Sequence, residues 1–68
     1  MEIQADITSR QKRWLAGQGI KTLEDLQNTT DDDLWDLHHW RKGVFTAACI
    51  KNLRKWQAKQ ERIHADES

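Results

Sequence analysis

Proline is missing from this sequence altogether, glycine occurs three times and cysteine once. A chain without proline and with 32% charged residues reads as a compact helical domain rather than a disordered tail. One cysteine forms no internal disulfide, and no Cys-x-x-Cys or Cys/His ladder offers zinc ligands. The longest uninterrupted apolar run, Ala47-Ala48-Cys49-Ile50, falls far short of the ~20 residues that span a membrane. No charged start followed by an apolar stretch is present, so no secretory signal is expected. Net charge is missing too, with eleven Lys and Arg against eleven Asp and Glu. A domain of this size buries only about 60% of the surface its unfolded chain exposes, which leaves little room for a deep, enclosed active site. The class that survives is a cytoplasmic helical module with no metal, cofactor, small-molecule substrate or membrane partner.

What is present is helix punctuation. Thr8 and Gln11 stand three apart, as a capping box requires, and SRQKRWLA follows up to Gly17 and Gly19, residues suited to ending a helix. Thr22-Leu23-Glu24-Asp25 repeats the box and opens a short helix ending near Gln27-Asn28. Thr29 or Thr30 caps a third helix, whose first turn, Asp31-Asp32-Asp33, complements the positive end of the helix dipole. That helix runs to about His39, and Arg41-Lys42-Gly43 forms a sharp basic turn. The last and longest helix is expected from about Val44 to near Arg62. Phe45, Cys49, Leu53 and Trp56 share one of its faces with Ala47 and Ile50, while Lys51, Arg54, Lys55, Lys59 and Arg62 lie opposite.

These elements predict an all-α fold: a compact orthogonal bundle of four to five short helices, containing a helix-hairpin-helix and a long C-terminal helix. Residues 1–7 carry no clear signal and are expected as a flexible arm, 8–62 as the helical domain and 63–68 as a frayed tail. Leu23, Leu26, Leu34, Leu37, Ile50 and Leu53, with two or three of the four tryptophans, would form the core.

Zero net charge conceals a segregation. Six acids and no bases lie between Thr22 and Asp36, whereas seven bases and one acid lie between Arg41 and Arg62. Four bases and no acids lie between Ser9 and Lys21. One basic and one acidic surface follow if the first and last helices lie side by side, and a basic face is the electrostatic footprint of phosphate binding. Solvated helix faces are charged in any case, so this feature alone does not select a partner.

The most informative stretch is Leu34 to Leu53. After the basic turn come Gly43, Ala47 and Ile50, a G-x-x-x-A-x-x-I spacing in which small Ala47 permits a close helix crossing. Gly43 would turn the backbone sharply and expose N–H groups at a helix start, a ready anion site. This pattern resembles a helix-hairpin-helix motif. With the preceding GIKTLEDLQNTTDDDL, residues Ile7 to Trp56 resemble the C-terminal domain of the bacterial RNA polymerase α subunit. That resemblance implies DNA contacts from Arg10, at the start of the first helix, and from the hairpin glycine Gly43. It also implies a phosphate contact from the hydroxyl of Thr46, three positions later. Phe45 replaces a basic residue of that family, and Arg41 and Lys42 replace the first glycine and the apolar residue of its hairpin. Arg41 and Lys42 are the candidate substitutes for the missing base.

Sterile α-motif domains are a second resemblance, carried by Thr29 to Leu37 and the long last helix. It implies protein association through opposite acidic and basic surfaces, although the apolar Gly-Ile pair before the last helix is missing.

No catalytic or metal-ligating residue is expected. His38 and His39 are adjacent and point about 100° apart on a helix. Cys49 belongs to an apolar face, and Asp31 to Asp33 lack the spacing of a calcium loop. Four tryptophans are too many to bury in so small a core, and an exposed one marks a protein-binding patch. The leading expectation is a non-enzymatic nucleic-acid-binding module, for DNA more than RNA, in transcription or recombination, acting through Arg10, Arg41, Lys42, Gly43 and Thr46. The alternative is a protein-interaction adaptor or inhibitor, acting on the transcription machinery or sterile-α-motif-like, and using Trp40, Trp35 and Asp32.

Overall fold

The computed structural model describes the backbone of residues 1–67 and the side chains of residues 1–65. Four helices appear in the order α1 (Ser9–Gly17), α2 (Leu23–Gln27), α3 (Asp31–Trp40) and α4 (Ala47–Glu67). Among the described residues the only β pairing is an isolated antiparallel bridge between Glu2 and Thr22. The fold is an all-α bundle whose long last helix packs against both α2 and α3.

Each helix start is fixed by a threonine. Thr8 and Thr22 form complete capping boxes with Gln11 and Asp25, and Thr30 accepts a hydrogen bond from the Asp33 N–H (3.2 Å). These side chains satisfy N–H groups that the first turn of a helix leaves without partners. The chain leaves α1 through Gly19, whose φ of +82° belongs to the left-handed region that favours glycine.

Ile3, Leu15, Ile20, Leu23, Leu26, Leu34, Val44, Phe45, Cys49, Ile50, Leu53 and Trp56 form the core. Of the six aliphatic residues assigned to it from sequence, only Leu37 is half-buried rather than buried. Trp56 is buried, Trp14 and Trp35 pack partly against the core, and Trp40 is 51% exposed.

Three expectations need correction. Residues 1–7 are packed rather than loose: Ile3 N–H donates to the Lys21 carbonyl (3.2 Å), Leu23 N–H donates to the Met1 carbonyl (2.8 Å), and Ile3 is buried. A single isoleucine anchors the arm, a signal that periodicity does not register. Helix α4 starts at Ala47, not Val44. The N–H groups of Val44 and Phe45 both donate to the Arg41 carbonyl (3.0 and 2.8 Å), closing a separate turn, and Thr46 then caps α4 by accepting from Cys49 N–H (3.1 Å). Finally, α4 continues beyond Arg62 to Glu67, because no helix-breaking residue interrupts it; Ser68 lies outside the described residues.

Arg54 is also drawn inward from the basic face assigned to it. Its Nε donates to Asp31 Oδ1 (2.8 Å), while its two terminal nitrogens donate to the Leu26 (3.1 Å) and Thr29 (2.6 Å) carbonyls. One guanidinium thereby ties the end of α2 and the start of α3 to the long helix.

Asp25 links the α1–α2 connection to pH. Its carboxylate accepts from the N–H groups of Lys21 (3.1 Å) and Thr22 (3.2 Å), and the Lys21 bond is the main reason its pKa lies below the ordinary 3.8. A folded-state pKa below the unfolded one gives stability that is complete above pH 3.8 and is lost as pH falls through the folded value. Thermal melts should therefore show little pH dependence from Asp25 between pH 7 and 5, where its contribution is complete, and a decline below about pH 4 that Asp25→Asn makes shallower. An Asp25→Asn chain with an unchanged acid decline would contradict this assignment.

Candidate functional site

The segment between α3 and α4 is held from three sides. Phe45 is fully buried and anchors the turn in the core. His38 Nδ1 donates to the Phe45 carbonyl (2.7 Å), which identifies the proton-bearing nitrogen, because a carbonyl can only accept. From α1, Gln11 Nε2 donates to the Val44 carbonyl (2.9 Å), while its Oε1 accepts from Thr8 N–H (2.9 Å). The amide that completes the α1 capping box thus also fastens α1 to the turn.

Above this anchor lies an aromatic and cationic cluster. The rings of Trp14 and Trp40 meet edge to face, with centroids 5.9 Å apart, and Trp40 stacks against Phe45 at 6.4 Å. The Arg41 guanidinium carbon lies 5.4 Å from the Trp14 ring centroid and 5.1 Å from that of Trp40. Both distances are within cation–π range. Arg41 is nevertheless exposed, and among the described residues no carboxylate forms an ion pair with it. Contact with the two adjoining rings, and no carboxylate partner, leaves the guanidinium's N–H fork available to an oxyanion, which Arg grips through paired bonds.

The other candidates divide around this cluster. Lys42 and Gly43 are exposed in the same turn, and Thr46 is exposed at the start of α4 with its hydroxyl accepting the Cys49 cap bond. That hydroxyl still has a proton to donate. Arg10 is exposed on α1, four residues before Trp14 and so on the same side of the helix. Gly43 differs from its expected role: three residues separate it from α4, and its φ is not positive. A Cβ there would meet nothing within 4 Å, so neither backbone nor packing demands glycine.

Trp40, Trp35 and Asp32 do not form one patch. Asp32 is in the first turn of α3 and Trp40 at its last residue, about 12 Å apart along the axis. Trp35 is half-buried and meets His38 edge to face at 5.5 Å. Sequence reasoning did not anticipate the role of Trp14, because its contact with Arg41 spans two helices and the intervening loops. Cys49 is buried, and burial pushes its thiol pKa up to about 11, so at neutral pH it carries no nucleophilic thiolate. Among the described residues no cluster of His, Cys, Asp and Glu is placed to hold a metal ion. No helix there is long and apolar enough to cross a membrane.

Comparison with protein-family models, curated proteins and solved structures finds no match.

Proposed function

We propose that the protein is a small, non-enzymatic nucleic-acid-binding module whose contact is centred on Arg41 in the α3–α4 turn. The observation that carries this reading is the exposed guanidinium lying against the adjoining rings of Trp14 and Trp40 without a carboxylate partner among the described residues. A fixed, unneutralised fork has a smaller ordering cost to meet on binding phosphate than a free side chain would. Lys42 adds charge beside it, Thr46 adds a hydroxyl donor, and Arg10 extends the cationic side of α1. The likeness to the polymerase α C-terminal domain belongs to the same proposal, with the turn cations taking the place of the basic residue that Phe45 replaces. Duplex DNA is the preferred ligand and cytoplasmic location part of the proposal.

Arg41→Ala and Lys42→Ala should each weaken duplex binding at all sequences and reduce the salt slope by about 1, as expected for loss of one phosphate contact. Circular dichroism should report an unchanged fold, since both side chains are exposed. Variants that bind with wild-type affinity and slope would remove the turn from the interface. A protein-interaction role is the second reading, favoured by the 51% exposure of Trp40. In that case duplex DNA would not be bound, and Trp40→Ala would abolish capture of the partner.

A further inference from the structure

We infer that the outer face of α4, built from Lys51, Lys55, Lys59 and Arg62, is a second phosphate-contacting surface that lengthens the footprint on a nucleic-acid duplex. The inference rests on the nucleic-acid reading and adds to it a surface on α4, outside the α3–α4 turn.

At 3.6 residues per turn, these four residues fall within an arc of about 80° and span about 16 Å of the helix axis. All four are exposed, and the exposed small residues Ala48 and Ala58 border them. The core-facing residues Cys49, Ile50, Leu53 and Trp56 occupy the opposite side, so the stripe is turned fully to solvent. Inward rotation of Arg54 onto Asp31 separates it from this row. The four that remain make no ion pair with a carboxylate among the described residues.

The one acid between Ala47 and Ala65 is also directed elsewhere. Glu61 Oε1 accepts from Gln27 Nε2 (3.2 Å) and Gln57 Nε2 (2.9 Å), on the side of α4 that meets α2. Lys55, Lys59 and Arg62 additionally line a shallow groove shared with Trp56 and with Gln4 and Asp6 of the arm. Asn52 Nδ2 donates to the Asp6 carbonyl (3.1 Å), which holds the arm in place as one wall. Three cations therefore face one carboxylate, that of Asp6. A row of unneutralised cations along a rigid helix complements a polymer with regularly repeated negative charge, and releasing its condensed counterions is the driving force.

The test compares full-length wild type, Lys55→Ala/Lys59→Ala/Arg62→Ala and Arg41→Ala/Lys42→Ala on a mixed-sequence DNA duplex between 50 and 200 mM salt. Alanine keeps helix propensity, so circular dichroism should verify that α4 is intact. The triple variant should bind at least tenfold more weakly at about 100 mM salt, with a log–log salt slope shallower by roughly 2 to 3. Wild-type affinity and slope in the triple variant, with binding lost only in the turn variant, would overturn the second surface and leave the turn reading standing. A wild-type chain that fails to bind duplex would overturn both. Competition by poly-glutamate as strong as by duplex would also overturn the inference, assigning the stripe to an acidic protein.

Discussion

Phe45→Ala is expected to destabilise the domain by about 3–5 kcal/mol and to leave much of the chain unfolded at room temperature. Phe45 is fully buried, so truncation removes a whole ring from the core and leaves a cavity. A 68-residue domain has a total stability of only about 3–10 kcal/mol at 0.05–0.15 kcal/mol per residue, so the loss is comparable with the whole. The substitution also removes the ring on which Trp40 stacks, and it loosens the carbonyl that receives His38. Denaturant unfolding followed by tryptophan fluorescence measures the effect. A loss below about 1 kcal/mol would mean that Phe45 does not anchor the turn.

Arg54→Ala should cost about 2–3 kcal/mol, although the residue belongs to a helix whose other basic side chains face water. Its guanidinium satisfies the carbonyls of Leu26 and Thr29 and pairs with Asp31, and charged hydrogen bonds contribute about 1.5–3 kcal/mol each before solvent screening. The Asp31 carboxylate is well exposed, so the two carbonyl bonds dominate the estimate. At about 4–8 °C per kcal/mol for a domain of this size, the melting temperature should fall by roughly 10–20 °C. Arg54→Lys should recover only part of the loss, since a single ammonium cannot reproduce the planar fork. An Arg54→Ala chain that melts within about 2 °C of wild type would refute the clamp. By contrast, removing an exposed α4 lysine should change stability little.

The elements that were legible in sequence are those fixed by local rules. Each threonine cap depends on residues three positions away: Thr8 and Thr22 occupy the positions that the spacing predicts, and Thr30 is the cap of the two candidates Thr29 and Thr30. Leucine periodicity likewise placed Leu23, Leu26, Leu34, Ile50 and Leu53 in the core. The elements that were not legible depend on contacts between distant segments. Ile3 is buried because the arm pairs with Lys21 and Leu23 across the chain. Arg54 turns inward onto the Thr29 carbonyl and onto the Leu26 carbonyl, which also accepts from Thr29 N–H (3.1 Å); the charge pattern shows only another base on a basic helix.

The candidate site divides in the same way. The basic turn and an exposed tryptophan could be read from composition and spacing. The contact of Arg41 with both Trp14 and Trp40 required α1 to be brought against the turn, which Gln11 accomplishes through the Val44 carbonyl. Helix α4 starts at Ala47, three residues beyond the boundary that would place Gly43 at its N-terminus. Because Thr46 is a better cap than anything at Gly43, the exposed N–H groups of α4 begin after the threonine. The charge of the turn, rather than a glycine-made anion nest, is what remains to attract phosphate there.

Titration of the intact protein with mixed-sequence and A/T-rich duplex DNA, at about 50 and 200 mM salt, tests the central claim most directly. Electrophoretic retardation would be read beside tryptophan fluorescence, because Trp40 and Trp14 flank the proposed contact. The account predicts binding in the micromolar range or tighter that weakens steeply with salt and changes the fluorescence. Flat curves up to about 100 μM protein, at the lower salt where phosphate contacts are strongest, would contradict it.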